Sequence, residues 1–265
     1  MNVLSRHNVT VLGNGVRPIV FAHGLGCDQR IWHYITPAFE EEYKIILFDY
    51  IGSGKSDLTY FNNERYSSLN NYAEDVVAIC QALQLKDIIF VGHSVSSMIG
   101  MLASIATPGL FNKIIMIGPS PCYINDKDYI GGFEKKEIAE LLNLMDENYI
   151  EWANLFSPIV MGNADRPELG EELRDIFCQA DPAITRQFAE ISFFSVNRHD
   201  LPKLKTPSLI MQCSEDLIAP QQVGEYVHKN IPGSKLYKMN STGHCPHLSD
   251  PEETIKAIKE YLQER

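Results

Sequence analysis

Nowhere does the chain reach the ~18 consecutive apolar residues that a membrane-crossing helix needs. Its first residues, Met1-Asn2-Val3-Leu4-Ser5-Arg6-His7-Asn8, lack the apolar core of a secretory signal. Basic residues are in deficit, 23 Lys and Arg against 34 Asp and Glu for a net charge of −11, and they form no block or stripe. Neither nucleic acid nor an anionic membrane is therefore expected as a partner, and a neutral or apolar ligand suits the chain better than a polyanion. The six cysteines (27, 80, 122, 178, 213 and 245) include no C-x-x-C pair. Such scattered cysteines are expected to be free thiols in a reducing compartment, which implies a cytoplasmic setting. There are no internal repeats, low-complexity tracts or flexible linkers. A chain of 265 residues with 45% hydrophobic content suits one large α/β domain or two small ones.

Short β-like apolar runs alternate with helical patterns. Ile19–Ala22, Lys44–Phe48, Ile88–Val91, Ile114–Ile117 and Ser208–Met211 are continuous rather than alternating, as strands covered on both faces should be. Tyr72, Val76, Ile79, Cys80 and Leu83 form one helical stripe, and Ile255, Ile258 and Leu262 form another. Asp250 is placed to N-cap that last helix, with Pro251 in its first turn and Glu253 in position for a capping box. This alternation implies an α/β fold with a mostly parallel, doubly covered sheet. Residues 124–200 break the pattern with four successive helical stretches and no clear strand. They read as a helical cap inserted into a core formed by residues 1–123 and 201–265, lying over the C-terminal edge of the sheet.

The run Ile88-Ile89-Phe90-Val91-Gly92-His93-Ser94-Val95-Ser96 passes from a strand through a glycine into a helix-competent segment. A serine at such a corner has its hydroxyl pushed outward, the geometry of a nucleophile elbow, whose usual pattern is G-x-S-x-G. Ser96 stands where the last glycine falls, small enough to keep the packing. A serine needs a base, and the base needs an orienting acid. Past the strand at 208–211 lie Glu215 and Asp216. Asp216 is the expected acid, being further into the loop with Pro220 to stiffen its return. Past the β-like run Lys235–Met239 lie His244 and His247. His244 follows a glycine on the loop itself and is the expected base. Ser94 then attacks, His244 carries the proton and Asp216 fixes the imidazole tautomer. The backbone N–H of Val95, and that of Leu25 in His23-Gly24-Leu25-Gly26-Cys27, are the expected oxyanion donors. His23 is expected to buttress that loop.

Two motifs fall short. Asp49-Tyr50-Ile51-Gly52-Ser53-Gly54-Lys55-Ser56 ends like a phosphate-binding loop but has Asp49 where the first glycine is required, so a turn beside the site is the better reading. Gly24-Leu25-Gly26 has Gln29 at the third glycine of the dinucleotide fingerprint. No metal is implied, since His244 and His247 lack carboxylate and histidine partners at ligand spacing. No cofactor is expected.

The residues His23–Gly26, Asp49–Ser56, Gly92–Val95, Asp216 and Gly243-His244 resemble the α/β-hydrolase superfamily across nearly the whole chain. Phe48–Gly54, Gly118–Tyr123, Arg186–Ala189 and Gly243–His247 resemble more particularly the sigma-B regulators of the RsbQ type, whose relatives include plant karrikin and strigolactone receptors. That resemblance implies a triad-bearing hydrolase with a four-helix cap over a small apolar pocket. It also implies a partner, a PAS-domain PP2C-type (RsbP-like) phosphatase of the general stress pathway. Ser96 replaces a glycine common in the family, and Leu25 a phenylalanine of several relatives.

The first expectation is a cofactor-free serine hydrolase acting on a small hydrophobic ester or lactone. A signalling protein that senses such a molecule with little turnover is the second. Haloperoxidase or lyase chemistry on the same scaffold is a third, since fold does not fix chemistry. Because aromatics crowd the cap, Phe133, Trp152, Phe156, Phe188 and Phe194 are expected to line the pocket.

Overall fold

The computed structural model describes residues 2–264. Its single sheet has seven strands: β1 Thr10–Leu12, β2 Arg17–Ala22, β3 Tyr43–Leu47, β4 Ile88–His93, β5 Phe111–Ile117, β6 Ser208–Gln212 and β7 Lys235–Lys238. Their spatial order is β1-β3-β2-β4-β5-β6-β7. All neighbours run parallel except the edge pair β1 and β3. β1 left no signal in the sequence, because three half-exposed residues make no apolar run.

The continuous apolar strands are buried on both faces, and their two-residue period sorts them between two cores. Ile19, Phe21, Ile89, Val91, Ile115, Ile117 and Met211 join one cluster, while Val20, Ala22, Phe90, Ile114, Met116 and Ile210 join the other. In chain order the helices are α1 Val3–Arg6, α2 Leu69–Ala82, α3 Val95–Ala106, α4 Lys135–Glu147, α5 Tyr149–Met161, α6 Pro167–Phe177, α7 Pro182–Phe193, α8 Gln221–Asn230, α9 Pro246–Ser249 and α10 Pro251–Gln263. α2 and α3 cover the second cluster, and α10 covers the first together with apolar residues of α4 to α6. No helix among the described residues is long and apolar enough to cross a membrane.

α4 to α7 follow one another between β5 and β6. Local chemistry starts them: Asp181 accepts the Ile184 N–H at 2.9 Å ahead of Pro182, and Glu134 and Glu137 form a reciprocal capping box on α4. Asp250 caps α10 through the Glu253 N–H at 3.1 Å. The Glu253 carboxylate, however, does not return to Asp250. It accepts the Asn240 N–H and the Ser241 N–H, at 3.0 and 3.1 Å. The expected capping box is replaced by a clamp on the loop leading to His244, whose free amides are better partners than an N-cap already served.

The imperfect phosphate-loop sequence is stitched by its own aspartate. Asp49 accepts from Asn8 Nδ2 at 2.7 Å and from the backbone N–H groups of Gln29 and Lys55, both at 2.9 Å.

Candidate active site

β4 ends at His93, and the chain turns directly into α3. Ser94, at that corner, has φ 56° and ψ −124°, an unfavourable conformation for a residue with a β-carbon. The turn is possible because Gly92 lacks a side chain: a Cβ there would lie 2.5 Å from the Ser96 carbonyl oxygen. The Ser94 N–H donates to the Ile117 carbonyl at 2.8 Å, which anchors the corner to β5.

Three loops leaving the same edge of the sheet meet over this corner. Asp216, just past β6, offers Oδ1 to the N–H groups of Ile218 and Ala219, at 2.8 and 3.0 Å. Its Oδ2 lies 2.7 Å from His244 Nδ1, and His244 Nε2 lies 2.8 Å from Ser94 Oγ. With the carboxylate accepting from Nδ1–H, the lone pair of Nε2 faces the serine hydroxyl. All three side chains are buried. Glu215 is exposed, and its carbonyl accepts the Gly243 N–H at 2.7 Å. The structure thus brings Ser94, Asp216 and His244 into one hydrogen-bonded line and leaves Glu215 outside it.

The histidine loop is held from the end of α5. The His244 N–H donates to the Val160 carbonyl at 2.8 Å, and Asn163 Nδ2 donates to the Thr242 carbonyl at 3.1 Å. Gly243 allows this approach, since a Cβ on it would stand 1.8 Å from the Met161 carbonyl oxygen. His247, the other candidate base, faces away from the serine. Its ring packs 4.6 Å from Trp32 and 4.5 Å from His93, and burial lowers its pKa to about 3. His93 donates from Nε2 to the His244 carbonyl at 2.8 Å, with its pKa pushed far down chiefly by burial and then by the neighbouring histidines.

Among the described residues, His93, Cys245 and His247 have possible ligand atoms within 4.8 Å of one another. The set does not suit an ion, because the His93 nitrogen nearest Cys245 already carries the proton donated to His244. Burial also drives the Cys245 thiol well above its ordinary pKa, against the thiolate a metal requires. All six cysteines are free.

A small cavity lies above Ser94. The core contributes Leu25, Val95, Tyr123, Ile218 and His244, and the helices of 124–200 contribute Phe156, Val160, Phe177, Ser192 and Phe193. Leu25 and Val95, the expected oxyanion donors, therefore border the nucleophile. Of the five aromatics expected in the lining, only Phe156 is there. Trp152 lies one layer behind, stacked on Phe156 and Phe177 at 5.5 and 5.2 Å between ring centres. Phe133 packs edge-on to Phe193 at 6.0 Å, and Phe188 stacks on Tyr72 at 4.3 Å in the opposite core. Phe194 follows the last residue of α7 and borders an outer groove with Ser67 and Leu69. Aromatic density marks packed helices, but which ring reaches the cavity depends on helix rotation, which composition does not encode.

Tyr123 went unpredicted. Its hydroxyl lies 3.3 Å from Ser94 Oγ, and burial pushes its pKa up to about 12, against the opposing pull of the serine hydrogen bond. It stays protonated and donates toward the nucleophile. Its place in the loop after β5, at the same sheet edge, was the available signal.

The sheet order, the strained serine corner and the three converging loops define an α/β hydrolase. The chain belongs to the alpha/beta hydrolase family, which matches residues 19–257. It is 41% identical over 258 residues to the Karrikin insensitive 2 receptor CA of Petunia hybrida, covering 97% of this chain and 95% of that one. Identity to a strigolactone esterase of Arabidopsis thaliana is 36% over 262 residues, covering 98% of each chain. Among solved structures, a hydrolase from Oleispira antarctica superposes with a TM-score of 0.96 at 43% identity, covering 99% of this chain and 97% of that one.

Proposed function

We infer that this protein is a cofactor-free serine hydrolase that cleaves a small, mostly apolar ester or lactone. The observation that carries the reading is the line from Asp216 through His244 to Ser94 at the floor of a small, largely apolar cavity. Ser94 Oγ attacks the substrate carbonyl carbon while His244 Nε2 takes its proton. The carbonyl oxygen, now negative, is held by the N–H groups of Leu25 and Val95, each such donor worth roughly 2.7–4 kcal/mol. Asp216 stabilises the imidazolium. His244 returns the proton to the departing alcohol oxygen as the C–O bond breaks, leaving an acyl-serine. A water, deprotonated by His244, then releases the acid and restores Ser94. A lactone follows the same steps with the alcohol tethered to the acyl group.

The relatives named as esterases support this reaction class. A fluorophosphonate probe with peptide mapping tests it. Labelling is expected at Ser94, absent in Ser94→Ala and strongly reduced in His244→Ala. Labelling elsewhere, or undiminished labelling in His244→Ala, would overturn the reading.

A signalling role is the second part of the proposal, in which the site makes or senses a small hydrophobic ligand and a protein partner reads the outcome. The receptor names of the petunia relatives support it, as does the motif likeness to RsbQ-type regulators. The partner class implied is a PAS-domain PP2C-type phosphatase, in the cytoplasm, where six unpaired cysteines are at home. Co-purification of such a phosphatase with wild type and with Ser94→Ala tests this. Binding by neither would refute the regulatory part and leave the hydrolase intact.

A further inference from the structure

Ser96 does what the glycine usual at that position could not. It is fully buried in the first turn of α3, with its Oγ 2.5 Å from the His23 carbonyl oxygen and 2.9 Å from the Tyr50 hydroxyl. A carbonyl only accepts, so the one Ser96 proton goes to His23, and Tyr50 donates to Ser96 Oγ. The Tyr50 backbone N–H in turn donates to His23 Nε2 at 3.2 Å. That nitrogen therefore carries the lone pair, and the proton on Nδ1 is donated to the Gly24 carbonyl at 2.9 Å. Burial, the largest influence on His23, lowers its pKa and keeps it in this neutral form despite the pull of Asp49.

These bonds join three separate segments: the turn after β3, the end of β2, and the start of α3. The two amides assigned to the oxyanion lie beside the junction, Val95 one residue before Ser96 and Leu25 two residues after His23. We propose that Ser96, backed by Tyr50, is a positioning residue for the oxyanion hole. Its hydroxyl ties the Leu25 loop to α3 so that both N–H groups converge on one point. The inference rests on the reading of Ser94 as nucleophile.

The physical need is clear. Oxyanion donors act only within about 2.7–3.1 Å of the developing charge. A loop with glycines at 24 and 26 has little conformational restraint of its own. Without the Ser96 hydroxyl the His23 carbonyl loses this donor, and the loop loses its tie to the helix carrying the other amide.

The test is steady-state hydrolysis of p-nitrophenyl acetate by the full chain. The variants are Ser96→Ala, Tyr50→Phe and the double variant, each checked for fold by circular dichroism and for phosphonate labelling. Ser96→Ala should lower kcat about tenfold with KM within about twofold and an unchanged pH dependence, since the loosened amides matter most in the transition state. Tyr50→Phe should lower kcat about two- to threefold, and the double variant should be no worse than Ser96→Ala, because Tyr50 acts through Ser96. Full kcat in Ser96→Ala, a change confined to KM, or losses that multiply in the double variant would overturn the proposal. Should Ser96→Ala not fold, Tyr50→Phe decides: reduced kcat at unchanged KM supports the role, and unchanged kcat refutes it. A wild-type protein that neither labels at Ser94 nor cleaves the ester would instead refute the hydrolase reading, and this one with it.

Discussion

Asp216 grips His244 with one oxygen and is itself gripped by the other, so Asp216→Asn has a definite consequence. Oδ1 serves the Ile218 and Ala219 N–H groups at 2.8 and 3.0 Å, and only an oxygen can do so. The new amide must keep its oxygen there and turn its NH₂ toward His244 Nδ1, now 2.7 Å away. Two donors cannot face each other, so the imidazole proton moves to Nε2, and the nitrogen 2.8 Å from Ser94 Oγ no longer has a lone pair to accept a proton. The alternative, a flipped amide, orphans two buried N–H groups at about 1–3 kcal/mol each. In the serine protease worked case this wrong tautomer costs about 10⁴ in rate, which is about 5.4 kcal/mol of barrier. Asp216 does not line the cavity, so KM should change little. Hydrolysis of p-nitrophenyl butyrate and the rate of phosphonate labelling should fall together, while Glu215→Gln leaves both unchanged. Asp216→Asn with more than about a tenth of wild-type kcat would refute the argument.

Three further outcomes follow from the same geometry. His23, His93 and His247 are buried with lowered pKa values, that of His247 to about 3. The unfolded chain takes up these protons near pH 6.5 and the folded one only at lower pH. Stability is therefore complete above pH 6.5 and falls as pH drops toward 3, by up to about 1.4 kcal/mol per pH unit for each histidine. Urea midpoints from pH 7.5 to 5 check this, with a shallower slope in His247→Phe, and a flat profile would sink it. Gly243→Ala places a methyl 1.8 Å from the Met161 oxygen at φ +84°, so the cap must lift from the histidine loop. We predict a loss of kcat above about 10²-fold; wild-type kinetics would show that the joint is soft. Phe156→Ala should shift ester preference toward longer acyl chains, because that ring lines the cavity. Phe188→Ala should instead cost about 3–5 kcal/mol of stability without changing preference, read from thermal melts beside a chain-length series.

What could be read along the chain were features whose cause is local or periodic. The five apolar runs became β2 to β6 because strands buried on both faces must be apolar throughout. Gly92-His93-Ser94 and the single acidic and histidine loops were legible for a related reason: in a parallel sheet every strand ends at an edge its neighbours share, so chain order alone brings those loops together. Asp250 announced its helix because a cap bonds only two or three residues away.

Contacts between segments were another matter. Glu253 reached for the histidine loop rather than its own N-cap, four of five cap aromatics turned from the cavity, and Tyr123 came within 3.3 Å of the nucleophile. The tie from Ser96 to His23 spans 73 residues of chain. Side chains of equal hydrophobicity or hydrogen-bonding capacity are interchangeable until the backbone is in place. Only packing then decides which of them faces the cavity, and which buried donor finds which acceptor.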